Sequence, residues 1–288
     1  MTDLIITGTG VPHLAPGRAG PGALVRHGDV MLQFDAGRAT ALRLCEAGVR
    51  MEQLTALFVT HHHSDHLTGL TDLLFARWLE MHGNFVPLPV IAPIGPSTRF
   101  LERMMDPWAD DLQVRVEHVG RGDRPDPEVR GFDVADAPIV VWSDDDLGVR
   151  VTARAVHHEP VTPAVAYRVD TPDGAIVISG DTIVCDEVAD LAVGADVLVH
   201  EAFRRDALRP FFATRPHLEH IAAYHADTVE LGALAERVGV PHLVLTHLIP
   251  APSPGFVTED DFIDDVRRGG YTGEVSVASD LTRVQIGD

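Results

Sequence analysis

The segment His61-His62-His63-Ser64-Asp65-His66 sets four imidazoles and a carboxylate directly after the apolar run 55–60, so these side chains emerge where a strand should end. Side chains alternate along an extended segment, which turns His61 and His63 to one side and His62 to the other. Asp65 and His66 follow where the chain bends into a helix, with Ser64 as the expected N-cap, and they approach from a second direction. Two directions suit two cations. Imidazoles with a carboxylate form a ligand set for zinc, and Mn2+ or Fe2+ accept the same donors. The tract is internal and is broken by Ser64 and Asp65, unlike the uniform terminal run of a cloning tag.

A pair of cations needs further ligands, and the ends of other strand-like runs are where to seek them. His157-His158 follows the run 149–156, Asp181 follows 175–179, and His247 follows 242–246. Only one of His157 and His158 can face inward on an alternating strand.

The elements that would carry these donors can be read from periodicity. Short strands are expected at 4–7, 23–26 and 30–34, then a helix over 38–47 and another over 68–81 with Leu70, Leu73, Leu74, Trp78 and Leu79 on its apolar face. Residues 83–147 read as an elaboration holding a strand at 90–92 and a helix at 97–105, and Asp144-Asp145-Asp146 reads as a solvated turn. Strands follow at 149–156, 164–169, 175–179 and 196–200, with a short helix at 186–191. The last third offers helices at 227–238 and 259–267, a strand at 242–246 and two closing strands. No internal repeat is visible, and residues 1–288 are expected to form a single domain.

The chain has 288 residues and a net charge of −20, and all of its basic side chains are arginines. The only close arginine pairs are Arg204-Arg205 and Arg267-Arg268, so the basic clusters that displace counterions from nucleic acid are missing and no nucleic-acid partner is expected. No run approaches the roughly 18 apolar residues of a membrane span, and the start lacks a leader pattern, so a cytoplasmic protein without a membrane partner is expected. Cys45 and Cys185 lack CxxC spacing and read as isolated thiols, Cys185 being close enough to Asp181 to line the site.

In its order of motifs, HxHxDH at 61–66, a later His, Gly180-Asp181-Thr182 after a strand and His247 after a strand, the chain resembles the metallo-β-lactamase superfamily. The resemblance runs from Gly8-Thr9-Gly10 and Phe34-Asp35-Ala36-Gly37 to the last motif. It implies a four-layer αββα sandwich of two mixed β-sheets flanked by helices, with two divalent ions at one edge. By motif, His61, His63 and His158 would hold one ion and Asp65, His66 and His247 the other, with Asp181 between them. His158 is favoured over His157 because it stands two residues before Pro160, as the family's third motif has it. Asp35 would orient the His loop, since a ligating imidazole needs a partner on its other nitrogen.

Within the superfamily, His200-Glu201-Ala202 and Tyr224-His225-Ala226-Asp227 resemble the branch of tRNA 3′-processing endonucleases, zinc arylsulfatases and phosphodiesterases, where a Glu and a His form a relay beside the metals. Glu201 and His225 match those positions. Only 23 residues separate His158 from Asp181, too few for the long arm that the tRNA-processing members insert there. A small-molecule ester is therefore expected as substrate: an aryl sulfate or phosphodiester, with a lactone, carboxylic ester or thioester as the alternative and a non-catalytic metal scaffold as the rival. The ions would share a hydroxide that Asp65 positions, while His225, polarised by Glu201, protonates the leaving group. Phe203, Phe211, Phe212, His217, His220 and Tyr224, with Trp78 and Trp108, are the expected pocket wall. The family likeness and the apolar helices suggest a homodimer.

Overall fold

Strands with both faces buried and side chains of alternating destination build two sheets packed face to face. The computed structural model describes residues 1–81, 85–120 and 122–287. Residues 83, 84 and 121 of the 83–147 segment lie outside the described residues. The first sheet holds β1 (Thr2–Gly8), β2 (Gly22–His27), β3 (Val30–Phe34), β4 (Ala56–Phe58), β5 (Pro89–Pro93) and β6 (Glu128–Phe132). The second holds β7 (Ile139–Asp144), β8 (Val149–Ala155), β9 (Val165–Thr171), β10 (Gly174–Ile178), β11 (Val197–Phe203), β12 (His242–Ile249) and β13 (Glu274–Val277), and β14 (Arg283–Ile286) returns to the first sheet beside β1. Both sheets mix parallel and antiparallel pairs.

On β1, Leu4 and Ile6 enter the core between the sheets while Ile5 enters the core under the helices; on β11, Val197 and Val199 point inward and Leu198 and Ala202 outward. One outer layer is α1 (Thr40–Glu46), α2 (Ser64–Leu67), α3 (Leu70–Glu80), α4 (Pro96–Leu101) and α5 (Ala109–Val119). On the other side come α6 (Asp186–Ala192), α7 (Arg205–Leu208), α8 (Pro216–Ala222), α9 (Thr228–Val238) and α10 (Glu259–Arg268). Together they make the αββα sandwich. Among the described residues no helix is long and apolar enough to cross a membrane.

Beneath the site, Phe34 and Phe58 of the first sheet stack at 4.8 Å, and Tyr167 of the second packs against both at 5.5 Å. The Tyr167 hydroxyl donates to the Val59 carbonyl at 2.7 Å, so an otherwise costly buried hydroxyl ties the sheets together where the His loop departs. The expected strand 55–60 contracts to 56–58 because the Thr60 amide leaves the ladder for Asp35 Oδ1. Ser64 is not the cap of the following helix: His63 holds that place in extended conformation and Ser64 is the first helical residue. The 83–147 segment supplies an edge strand to each sheet, β6 and β7, and the unforeseen α5; the helix expected to reach 105 stops at Leu101. Asp144 ends β7 and accepts from the Leu147 amide in the expected turn.

Candidate active site

The donors converge at one end of the sandwich from both sheets. His61, His63, His158 and Asp181 offer atoms within 4.8 Å of one another, as do Asp65, His66 and His247. One oxygen joins the two groups: Asp181 Oδ2 lies 3.3 Å from both His66 Nε2 and His247 Nε2, and 3.9 Å from both His61 Nε2 and His158 Nε2. His157 stands apart, half exposed, with Nε2 3.3 Å from Glu187.

The imidazoles are held in defined tautomers. Asp35, itself in the left-handed region at φ 53°, accepts from the Thr60 amide and hydroxyl at 2.8 Å each and from His66 Nδ1 at 2.7 Å. Because the Thr60 hydroxyl spends its proton on Asp35, its oxygen accepts from His61 Nδ1 at 2.9 Å. His158 Nδ1 donates to the Tyr224 carbonyl at 3.0 Å. In all three rings the Nδ1 proton is engaged and Nε2 turns to the cluster.

Close backbone packing places the loops. A Cβ on Gly37 would stand 2.4 Å from the Asp65 carbonyl oxygen, so only glycine lets the Asp35 turn approach the HxHxDH loop. Gly180, at φ 61°, packs against Thr60, and a Cβ there would meet its side chain at 2.8 Å. His247 is set by a β-bulge: Glu201 pairs with Thr246 and Ala202 with Leu248, leaving His247 as the extra residue at φ 45°. Such a bulge re-aims a side chain at the end of a ladder.

Burial pushes His61 well below the usual imidazole range, and burial with the neighbouring His158 lowers His63 to about 4. Burial would also lower His66, but the carboxylates of Asp181 and Asp35 override it and hold it well above the ordinary value. For Asp181, burial is outweighed by His247 and His66, which keep the carboxyl well below its usual range. His61 Nε2 and His66 Nε2 are buried without hydrogen-bond partners. Imidazole nitrogens turned toward a buried carboxylate, with their other nitrogens already engaged, are a donor set that fits divalent cations.

Glu201 and His225 stand beside this cluster. Glu201 is 1% exposed, accepts from the Thr182 amide at 2.8 Å and the Ala226 amide at 3.3 Å, and receives His225 Nδ1 at 2.8 and 2.9 Å. Burial would lower His225, but Glu201 raises it above its ordinary value.

A cavity of about 390 Å³ opens from the donors. Of the wall expected from sequence, Phe203 and Tyr224 line it, while Phe211, Phe212, His217 and His220 do not. Trp78 is buried in the helix-side core, its Nε1 donating to Asp123, and Trp108 packs on Phe75 at a separate surface cleft. Cys185 caps α6 away from the cavity. Sequence reasoning missed the segments 11–15 and 249–251 and the α8 side chains Leu218 and Ile221. The nearest signal was Gly8-Thr9-Gly10, directly before the first segment.

A family model described as a beta-lactamase superfamily domain matches residues 33–248. A Ribonuclease Z of Mycobacterium bovis is 34% identical over 288 residues, covering 99% of both chains, and one of a Mycobacterium species is 35% identical over 99% of this chain and 96% of its own. Among solved structures, human tRNase Z, short form, aligns over 99% of both chains with a TM-score of 0.69 at 21% identity, a likeness of fold.

These relatives overturn two expectations: the small-molecule ester as substrate and the exclusion of nucleic acid as partner. The arm argument fails because a relative named Ribonuclease Z is matched end to end, so a chain of this length suffices for that name. The charge argument fails because −20 is a sum over the whole surface and takes no account of cations at the site. The relatives make the chain a metal-dependent hydrolase. Matched over residues 33–248 by the family model and end to end by these ribonucleases, the chain belongs to the metallo-β-lactamase superfamily, in its tRNase Z branch.

Proposed function

We propose that the chain is an RNA phosphodiesterase carrying two divalent ions, zinc by the chemistry of the donors. His61, His63 and His158 would hold one ion and Asp65, His66 and His247 the other, with Asp181 available to either. Bound there, the ions supply Lewis acidity toward water and a phosphoryl oxygen.

The chain's own groups do the rest. Asp35 and Thr60 keep the Nδ1 protons of His66 and His61 engaged, so that neither ring must reorient to ligate. Asp65 lines the cavity; burial would raise its pKa, but His247 and His66 lower it, so it stays a carboxylate able to orient attacking water. Glu201 fixes the His225 ring through Nδ1, which leaves Nε2 to protonate the departing ribose oxygen. The observation that carries the hydrolytic reading is the single Asp181 oxygen shared between the two donor groups. The RNA part rests on the end-to-end ribonuclease relatives.

The test is a transfer RNA bearing a 3′ tail, incubated with protein stripped of metal and then reloaded with zinc or manganese. Cleavage should appear only after reloading. A fully loaded protein that leaves this RNA and other single-stranded and structured RNAs intact would overturn the reading.

A further inference from the structure

The cavity beside the donors changes character abruptly. At its floor stand Asp65, Asp181, His63, His225 and His247; beyond them the lining includes Val11, Leu14, Leu208, Leu218, Ile221 and Ile249. Among the described residues the lining contains no arginine, and the chain has no lysine. Beyond the imidazoles at the floor and His13 at the rim, the lining offers a second backbone phosphate no cationic side chain, and seating it beside two carboxylates would be a costly burial of charge. A nucleobase has apolar faces and a polar edge, and single-stranded RNA is recognised largely by such splayed, stacked bases. Tyr224 offers a ring for stacking, its centroid 4.9 Å from that of His225.

The cavity also has a side. Tyr224, Ile221 and Leu218 reach it from the stretch of chain that leads into His225. With His225 as the acid, the wall nearest in the chain to the departing oxygen is this apolar stretch.

We propose that this cavity is a subsite for one unstacked nucleobase, that of the nucleoside whose ribose oxygen departs. The assignment rests on the RNA reading above and on His225 as the acid. The next phosphate on that side stays in solvent, and a base held in a duplex cannot enter, so the bond cut lies in a single-stranded stretch.

The test uses a short single-stranded RNA that the metal-loaded protein cuts at one mapped bond, with an abasic ribose placed in turn on either side of it. The abasic site on the leaving side should lower kcat/KM roughly tenfold or more, and the one on the other side less than about threefold. Leu218→Glu should raise KM for the intact RNA with no change in bound metal or melting temperature. Adenosine alone should show saturation transfer from the methyl groups of the parent protein and none from L218E. Equal abasic effects, a larger effect on the far side, or no effect would overturn the subsite while leaving the RNA reading standing. A loaded protein that cuts no RNA at all overturns both.

Discussion

The floor of the site and its wall are built on different terms. Floor donors such as His61, His158 and Asp181 follow strand ends and His66 lies in the short α2, all almost fully buried, with the second nitrogen of each of these imidazoles already engaged. The wall comes from segments 11–15 and 249–251 and from α7 and α8, short elements with half-exposed or exposed side chains such as Leu14, Leu218 and Ile221. Floor geometry is enforced by the sandwich core: Phe34 and Phe58, from the strands that lead into the Asp35 turn and the His loop, are locked against Tyr167 from the facing sheet. On the α7–α8 side the wall rests on a small cluster of Phe203, Leu208 and Ala222, the first two of which also line the cavity. Chemistry is thus placed on rigid elements and recognition on adaptable ones, a division that lets one reaction serve changing substrates.

If that contrast is right, damage to the floor should be large and visible in metal content. Asp181→Ala should release metal and abolish RNA cleavage together, measured by elemental analysis and by gel assay; a variant that keeps both would break the shared-oxygen arrangement. Glu201→Gln should lower kcat by about 10²–10⁴ with metal content intact, because it disturbs a proton donor and no ligand. The loss should shrink on a nitrophenyl phosphodiester, whose leaving group needs no proton, and an undiminished loss there would count against His225 as the acid. Asp35→Asn touches only the far nitrogen of His66 and the Thr60 hydroxyl and amide. It should weaken metal binding about 10–100-fold, read by competition with a chelator.

The same division explains what the sequence disclosed. Metal-ligating residue types stand out where strand-like runs end, so His61, His63, Asp65, His66, Asp181 and His247 were legible by type and place, while the choice of His158 over His157 and the four-layer sandwich were read through motif likeness. Asp35, Glu201 and His225 were legible only through motif likeness, because a lone acid or histidine carries no periodic signal. The bulge that aims His247 depends on the register of two parallel strands far apart in the chain and could not be read from either. The wall was opaque for a different reason. Its aliphatic residues are those that fill any core, and the aromatic crowd at 203–224 drew attention to Phe211, Phe212, His217 and His220, whose neighbours in sequence line the cavity while they do not. Whole-chain charge misled as well, since it averages over a surface that substrate meets at one place.

The smallest effect should come from the outermost part of the wall, and it sharpens the contrast most. Leu14 is 82% exposed yet borders the cavity. Its backbone is carried by a loop pinned from below: Asp280 accepts from the Thr9 amide at 3.0 Å and the Ala19 amide at 2.6 Å, and Arg38 donates to the Val11 carbonyl at 2.9 Å. Leu14→Ser removes apolar contact without disturbing those anchors, so stability should change by no more than about 0.5 kcal/mol. Metal content and kcat should hold, and KM for RNA should rise only a few-fold. A fall in kcat or a loss of metal from so exposed a side chain would mean that the wall transmits strain to the donors, and the floor could no longer be treated as self-supporting.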